Sequence, residues 1–276
     1  MTEVAPCIRV VPVRTPTLPP ATHTNTYVVG TGDLSVFDPA SPWPDEQARL
    51  LDAIRQRESA GERVERIVLT HHHPDHVGGA VALRDALSVP IFAHPKTSEL
   101  VPFPVDQTLE DNALLPCGGR HLRAHHTPGH APGHLVFLDE DSKAMIAGDM
   151  VAGVGTIVIS PEDGHLGQYL DSLDHVRVLQ PSVLLPAHGD PLTDPEAILG
   201  YYIAHRHQRT DQIRRALARA SQATPLDLAP AVYPELKPEI YPLAALQILS
   251  HLRWLSEQGE AQAGSDGSWS ARTAPN

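Results

Sequence analysis

The sequence predicts an α/β fold of the α+β kind, in which helices cover a sheet and a smaller helical unit follows. Short segments rich in Val, Ile and Leu, which favour strands, alternate with segments of helical periodicity up to residue 192. Two pairs of the apolar segments flank short polar turns, as is typical of hairpins. From residue 193 onward helical patterns replace the strands. This order of elements excludes an all-β or all-α main domain.

The strand predictions rest on short apolar segments bounded by turn residues. Three buried strands are expected at residues 66–70 (RIVLT), 90–94 (PIFAH) and 182–187 (SVLLPA). Two hairpins are expected, from residues 26–30 with 34–38 and from residues 135–138 with 144–147.

The helix predictions rest on apolar residues at helical spacing and on start and stop signals. In the first part of the chain we expect helices at residues 44–59, 77–87 and 166–179. In the second part we expect them at residues 194–220, 226–232 and 242–258, before a tail at 261–276 that is a short hairpin or frayed. We therefore predict two domains, residues 1–192 and residues 193–276.

Composition narrows the classes of function. The 276 residues carry a net charge of −12, which disfavours sequence-independent DNA binding because such binding depends on neutralising phosphates. The 17 histidines outnumber the 13 Phe, Tyr and Trp residues, which directs attention to metal ligands. Two cysteines, Cys7 and Cys117, supply neither a disulfide framework nor a Cys-rich zinc module.

The chain shows no targeting or membrane pattern. Its first residues contain an acid and several prolines but no apolar run of the signal-peptide type. No segment approaches the roughly 18 apolar residues that span a bilayer. We predict a soluble, cytoplasmic protein without a membrane partner.

The most informative segment is residues 70–79 (THHHPDHVGG), between a predicted strand and a predicted helix. His71 and His73 alternate along an extended strand end and so point to the same side, whereas His72 points away. A turn then brings Asp75 and His76 to a neighbouring position. Imidazole nitrogens and carboxylate oxygens are ligands of zinc, so this cluster predicts a metal site.

Three further candidate ligands follow at loop positions. His130 lies in residues 127–134 (TPGHAPGH), where Pro and Gly prevent a helix. Asp149 and His188 each end a predicted strand. Together with the first cluster these residues predict a site for two metal ions at one rim of the sheet.

These motifs resemble those of the metallo-β-lactamase superfamily, which includes glyoxalase II-like hydrolases. The HxHxDH motif is present as His71, His73, Asp75 and His76, and the resemblance extends over residues 8–192. It implies an αββα sandwich with two divalent ions at one edge. Zinc is the expected metal, and iron and manganese are the alternatives. It assigns His71, His73 and His130 to one ion, Asp75, His76 and His188 to the other, and Asp149 to both.

Two details refine the resemblance. Classes that hydrolyse lactams usually use a Cys ligand in the second site, where this chain has Asp149, so antibiotic hydrolysis is not expected. Residues 201–215 (YYIAHRHQRTDQIRR) and the helical tail resemble the β-lactamase-like-protein-2 branch. In that branch a small winged-helix-like domain follows the hydrolase, and a known member is an endoribonuclease directed at single strands.

The mechanism predicted from this resemblance is hydrolysis by a hydroxide that bridges two metal ions. The expected substrate is a small ester, a thioester or a related acyl compound. Asp75 is the candidate catalytic residue that orients the nucleophile, and His134 is a candidate that fixes a ligand by hydrogen bonding. Substrate-binding residues stay unknown, because the loops at residues 96–115 and 151–166 contain no motif.

Three alternatives remain open at this point. The first is cleavage of single-stranded RNA, since five arginines lie on one helical stretch: Arg206, Arg209, Arg214, Arg215 and Arg219. A solvated helix face explains them equally well. The second is an iron-dependent sulfur dioxygenase, which shares the fold but binds a single iron. The third concerns only the C-terminal helices, which could join two copies of the chain in a homodimer.

Overall fold

A computed structural model describes residues 1–272 of the chain. Within those residues there are 14 β-strands, eight α-helices and one 3-10 turn at Pro238–Ile240. The strands form two large sheets and one small hairpin. The two large sheets pack face to face and carry helices on both outer faces, which confirms the predicted αββα sandwich.

The first sheet contains seven strands in their order along the chain. They are β1 Thr2–Ala5, β2 Ile8–Arg14, β3 His23–Val29, β4 Asp33–Phe37, β5 Arg63–Val68, β6 Ile91–Ala93 and β7 Gln107–Thr108. Strands β1 to β4 pair antiparallel, and β4 to β7 pair parallel. The first predicted hairpin is therefore confirmed as β3 and β4.

The second sheet contains five strands in the order β12-β11-β10-β9-β8. They are β8 Leu114–Cys117, β9 Arg120–His126, β10 Leu135–Asp139, β11 Ala144–Gly148 and β12 Val183–Pro186. The second predicted hairpin is confirmed as β10 and β11, and β11 pairs parallel with β12. Strands β8 and β9 were not predicted, because Pro, Arg and His interrupt their apolar pattern.

The two sheets meet in an interior of buried aromatic and aliphatic side chains. The rings of Phe37 and Phe137 pack edge to face, with centroids 5.0 Å apart at an angle of 70°. Tyr27 and Leu135 are buried in the same layer. Burial of each such side chain stabilises the fold by about 1.5–3 kcal/mol, so the strand ends at the sheet edge have a rigid support.

In the described residues, eight helices cover the sheets or form the C-terminal part. They are α1 Pro44–Glu58, α2 Pro74–Val77, α3 Ala80–Leu87, α4 Pro95–Leu100, α5 Leu166–Val178, α6 Pro195–Ala220, α7 Pro225–Val232 and α8 Tyr241–Glu257. Helices α1 and α3 pack on the first sheet, and α5 packs on the second.

The helix predicted at residues 77–87 is present as α3 but begins three residues later, at Ala80, because Gly78 and Gly79 separate it from the short helix α2. A Cβ atom at Gly78 would lie 2.8 Å from the carbonyl oxygen of Ala40, and one at Gly79 would lie 2.7 Å from that of Pro39. The two glycines therefore let the chain pass close to the segment after β4, which places the short helix α2 at the sheet edge.

The C-terminal unit consists of α6, α7, α8 and the hairpin β13 Ala261–Ala263 with β14 Trp269–Ala271. Its core contains Ile213, Leu228, Leu252 and Trp269. The predicted tail hairpin is thus present, and residues 273–276 of that tail lie outside the described part of the chain.

Helix α6 belongs to two hydrophobic cores. Leu199 and Tyr202 near its start pack with the helices on the second sheet, whereas Ile213 and Leu217 pack in the core of the C-terminal unit. The division between residues 192 and 193 stays a prediction, and it falls just before this shared helix. Across residues 1–272, no helix is both long and apolar enough to cross a bilayer.

Candidate metal centre

The candidate ligands come from segments that end at the same edge of the sandwich. His71 and His73 follow β5, Asp149 follows β11, and His188 follows β12. The 127–134 loop between β9 and β10 supplies His130. The structure brings all seven ligand candidates together in overlapping groups that could hold metal ions.

We call His71, His73 and His130 site one. Nε2 of His71 lies 3.0 Å from Nδ1 of His73 and 3.3 Å from Nε2 of His130, which is 2.9 Å from Nδ1 of His73. A tetrahedral ion with Zn–N bonds of about 2.0–2.1 Å requires nitrogens about 3.3 Å apart. The three rings therefore present nitrogen atoms within about 0.4 Å of the spacing around one such ion.

The outer nitrogens of two site one rings have partners. Nδ1 of His130 donates to the carbonyl oxygen of Val158 at 2.8 Å, and Nε2 of His73 lies 3.0 Å from Oδ2 of Asp163. A ring that donates through its outer nitrogen keeps the lone pair of the inner nitrogen free. Both rings are thus oriented as metal ligands.

Site two consists of Asp75, His76 and His188. Nε2 of His188 lies 3.6 Å from Oδ2 of Asp75, and its Nδ1 donates to the carbonyl oxygen of His23 at 2.9 Å. Nδ1 of His76 lies 2.9 Å from Oδ2 of Asp38. The second nitrogen of each ring faces inward, as at site one.

Asp149 lies between the two sites. Its Oδ1 is 3.5 Å from Nε2 of His76 and 3.5 Å from Nε2 of His188, while its Oδ2 is 3.4 Å from Nε2 of His130. Both Oδ1 of Asp149 and Nε2 of His76 are buried without a hydrogen-bond partner. Since buried polar atoms are nearly always satisfied, these two fit a metal ion as their missing partner.

Electrostatics at the centre favour a cation. Burial lowers the pKa of His71 well below its usual value and that of His130 to about 4, so both rings are neutral at pH 7. Burial alone would lower the pKa of His76, but Asp149 and Asp38 raise it well above its usual range. Positive charge is therefore favoured between His76 and Asp149, and a divalent ion would supply it.

His134 lies behind the centre. Its Nδ1 is 2.9 Å from Oγ1 of Thr127, and its Nε2 accepts the backbone N–H of Asp149 at 3.1 Å. Gly148 has a φ of +51°, and a Cβ atom there would lie 2.6 Å from Nε2 of His134. The fully buried ring therefore contacts the backbone of a ligand, which is the geometry of a positioning residue. Its role in turnover stays a prediction.

Two carboxylates in contact with the ligands were missed by the sequence analysis. Asp38 accepts the backbone N–H and the hydroxyl of Thr70, at 2.8 and 2.7 Å, in addition to its contact with His76. Its position at the end of β4 was a usable signal, because neighbouring strands end at the same edge. Asp163 lies in a loop without regular structure, and no pattern in the sequence distinguishes it from a turn residue.

Asp163 also explains the orientation of the His72 ring. Nε2 of His72 lies 3.1 Å from Oδ2 of Asp163, so this ring points to the loop rather than into site one. The hydrogen bonds from His72 and His73 outweigh burial and lower the pKa of Asp163. An ionised Asp163 is thus shared by two neighbouring histidines.

The segment of residues 157–163, which we call the 157–163 loop, is tied to the C-terminal unit. The side-chain amide of Gln247 accepts from the N–H and donates to the carbonyl of Ile159, both at 3.1 Å. Ser250 donates to the same carbonyl at 2.6 Å. Arg206 donates to the carbonyl of Ile157 at 2.5 Å, and Arg253 donates to that of Pro161. Helices α6 and α8 therefore hold this loop.

Two adjoining cavities open at the centre. One, of about 280 Å³, lies over the ligands of both sites, with Leu18 and Leu243 at its wall. The other, of about 750 Å³, runs beside His73 and is lined by Val77, Val81, Leu100 and Phe103. The two share His73 and Ser160. Among residues 1–272, neither lining includes a Lys or an Arg.

The five C-terminal arginines do not form one basic face. Arg206 is buried, Arg209 lies over the ring of Tyr233 with its carbon 3.8 Å from the centroid, and Arg214 pairs with Glu260 at 2.6 Å. Arg215 and Arg219 are exposed and line a small groove beside α7. Three of the five arginines thus have structural partners.

Comparison with known proteins agrees with this architecture. The family model described as "Metallo-beta-lactamase superfamily" matches residues 19–188, and the model described as "Beta-lactamase associated winged helix domain" matches residues 224–269. The predicted winged-helix character of the C-terminal unit is thereby confirmed.

Relatives in two groups match most of the chain. A Beta-lactamase-like protein 2 homolog of Drosophila melanogaster is 31% identical over 252 residues, which cover 86% of this chain and 83% of that protein. An Atrochrysone carboxyl ACP thioesterase of Aspergillus novofumigatus is 32% identical over 200 residues, which cover 72% of this chain and 59% of that protein.

Solved structures match the whole fold. A beta-lactamase domain protein from Burkholderia ambifaria has a TM-score of 0.87 at 23% identity, covering 98% of this chain and 93% of its own. A metallo-beta-lactamase family protein from Thermus thermophilus has a TM-score of 0.82 at 23% identity, covering 98% and 100%. The sandwich, the ligand cluster at its edge and the family match lead to one conclusion: this chain belongs to the metallo-β-lactamase superfamily.

Proposed function

We propose that this chain is a hydrolase that uses two divalent ions, with zinc as the preferred metal. Its proposed substrate is an ester or thioester of an apolar acid. The observation that carries this proposal is the position of Asp149, whose two oxygens face the nitrogen ligands of two separate groups. A pair of ions there would lower the pKa of a water molecule and polarise a carbonyl group.

The residues around this centre supply orientation. Asp75 is partly buried and lines the cavity over the ligands, so its carboxylate can orient an attacking water molecule and receive its proton. Asp38, Asp163 and the carbonyl of Val158 fix the rings of His76, His73 and His130. The ligand geometry is therefore set before the substrate arrives.

The cavities support an apolar acyl group. The larger one continues from His73 along Val77, Val81 and Phe103, and Glu162 and Asp163 are the charged side chains among its lining residues. Polyanionic substrates need cationic partners, which this surface does not offer. The relative named Atrochrysone carboxyl ACP thioesterase supports the same chemistry.

A second candidate is cleavage of single-stranded RNA. The observation in its favour is a groove lined by the exposed Arg215 and Arg219 of α6 and by winged-helix residues that include Asp227. The lining of the cavities at the metal centre weighs against it. The full set of Asp75, His76 and His188 argues against an iron-dependent sulfur dioxygenase, which binds a single iron. Metal analysis distinguishes one bound iron from two bound zinc ions.

The test is a panel of acyl thioesters of increasing chain length, assayed with the zinc-loaded full chain beside a labelled single-stranded RNA. We expect kcat/KM to rise about fourfold per added methylene group while the chain fits the groove. Asp75→Ala should lower kcat/KM by about 10³-fold. If the RNA is cleaved and none of the thioesters is hydrolysed, the proposal is wrong and the second candidate, cleavage of single-stranded RNA, takes its place.

A matched pair of variants tests the groove itself. Phe103→Ala should lower kcat/KM for the longest acyl chain and leave acetyl thioesters unchanged, because this ring lines the larger cavity and not the one over the ligands. Leu226→Ala removes an exposed leucine on α7 and serves as the control. Equal losses for short and long chains would contradict the assignment of the groove.

Two further expectations remain predictions: a cytoplasmic location and a homodimer. The mass of the protein in solution would test the homodimer, and fractionation of the cells that produce it would test the location.

A further inference from the structure

The 157–163 loop has two sides with different neighbours. One side faces the ligands of site one, and the other faces helices α6 and α8 of the C-terminal unit. The loop has no regular secondary structure, so its shape depends on these contacts.

On the C-terminal side, three carbonyl groups of the loop at alternate positions accept hydrogen bonds. Arg206 donates to Ile157, Gln247 and Ser250 donate to Ile159, and Arg253 donates to Pro161. Gln247 also accepts the N–H of Ile159, so its amide pairs with this residue as a neighbouring strand would. Ile157 and Ile159 are 3% and 1% exposed, which anchors the same side in the core.

On the metal side, one group between these anchors and one just after them contact two of the three site one ligands. The carbonyl of Val158 accepts from His130, and Asp163 accepts from His73. Each contact leaves the inner ring nitrogen with its lone pair toward site one. His71 is the exception, since its outer nitrogen lies 3.0 Å from Oγ1 of Thr70 instead.

We propose that Asp163 is a positioning residue for His73, and that the C-terminal unit holds site one in its binding geometry through the 157–163 loop. This inference rests on the metal centre of the proposed function. It gives the C-terminal unit a task in the hydrolase itself, separate from any substrate that its outer face binds.

The expected effect is selective. Loss of a partner on the outer nitrogen of a histidine ligand lowers metal affinity by about 10- to 100-fold. We expect this loss at site one and a change of less than about threefold at site two, whose rings contact Asp38 and His23 instead.

The first experiment is titration of the metal-free full chain with Co²⁺, in which visible absorption and bound metal per chain are measured. Asp163→Ala is compared with Glu162→Ala, an exposed carboxylate in the same loop without a side-chain contact to a histidine. In Asp163→Ala one of two ions should bind weakly, with an altered absorption spectrum, whereas Glu162→Ala should match the parent. Asp163→Asn, which retains one acceptor oxygen, should recover part of the affinity.

The second experiment tests the contribution of the C-terminal unit. The double variant Gln247→Ala with Ser250→Ala removes three hydrogen bonds to Ile159, and Gln258→Ala at the exposed end of the same helix is its control. We expect the double variant to lose affinity at the same ion as Asp163→Ala, with an unchanged circular dichroism spectrum of the metal-free chain.

The outcomes separate this inference from the proposed function. A parent chain that binds two ions while all variants bind them equally tightly would overturn the inference and leave the proposed function intact. A parent that binds fewer than two ions would overturn both. A third ion, lost in Asp163→Ala without any change at the other two, would make His72, His73 and Asp163 a separate metal site and would also overturn the inference.

Discussion

At site two the histidine rings are fixed by groups of the first sheet, whereas at site one two of the three rings are fixed by the 157–163 loop. Asp38 follows β4 and His23 begins β3, and both strands lie between the core layers. The loop has no such support from a sheet and depends on α6 and α8. The two candidate ion sites, which lie on either side of Asp149, therefore differ in the part of the chain that supports their rings.

The difference shows that a segment outside the two sheets can supply hydrogen-bond partners to rings at the sandwich edge. Strand ends place ligands well, but each ring also needs a partner on its outer nitrogen. Site two finds these partners within the sandwich. Site one uses a connecting segment and a second unit, so its geometry depends on the chain far beyond the last ligand.

The largest effect is expected from a variant that should abolish metal binding at both sites alike. Asp149→Ala takes away the carboxylate that both sites share, so neither ion should remain bound after gel filtration. We expect kcat/KM for the best thioester to fall by at least about 10³-fold, which corresponds to about 4 kcal/mol. Metal analysis of the purified variant, beside the steady-state rates, checks this. Retention of one full equivalent of metal would show that the sites do not depend on a shared ligand.

A smaller effect sharpens the comparison through stability. Asp38→Ala leaves three buried donors, two of Thr70 and one of His76, without their acceptor. Since an unsatisfied buried group costs about 1–3 kcal/mol, we expect the free energy of unfolding to fall by about 3 kcal/mol. Asp163→Ala, at a partly exposed loop position, should cost less than about 1 kcal/mol.

Urea unfolding of the metal-free chain measures both variants, and Asp33→Ala, at the exposed start of the strand that Asp38 follows, is the control. Equal costs for Asp38 and Asp163 would mean that the two surroundings are equally stable, contrary to the comparison.

The smallest expected effect is a pH dependence of the free energy of unfolding that arises in the C-terminal unit, which holds the 157–163 loop. Burial, with Arg206 and Arg209 nearby, lowers the pKa of His251 to about 3, and this ring on α8 is 1% exposed. The unfolded chain therefore binds a proton at His251 before the folded chain does. Stability is complete above about pH 6.5 and decreases as the pH falls toward 3.

Between pH 7 and pH 5 we expect His251 to account for a loss of about 2 kcal/mol in the free energy of unfolding. His251→Gln should lack this part of the pH dependence, whereas the exposed His207→Gln should retain it. Urea unfolding of the metal-free chain at both pH values provides the numbers. Parallel curves for the parent and His251→Gln would contradict the assignment.

The sheet covered by helices and the ligand groups could be predicted from the residues because their signals are local, whereas the αββα sandwich was implied by the family resemblance. His71, His73, Asp75 and His76 occur within six residues, and His130, Asp149 and His188 each follow a clear turn or strand. The structure brings these seven residues together, and their roles in binding metal stay predictions.

The partners of these residues could not be predicted in the same way. Asp163 contacts a ring 90 residues earlier in the chain, and Gln247 contacts a loop 88 residues earlier. Contacts over such distances depend on packing, which a spacing of residues does not encode. The arginines of α6 illustrate the same limit, since their helical spacing is regular but three of them have intramolecular partners.

The position of α8 in the chain also affects the order of assembly. All seven ligand candidates precede residue 189, whereas α8 spans Tyr241–Glu257. During synthesis the growing chain therefore carries a complete ligand set before it contains the helix that fixes the 157–163 loop. A chain that ends before α8 would therefore contain all seven candidates but lack the hydrogen bonds of Gln247 and Ser250 to Ile159.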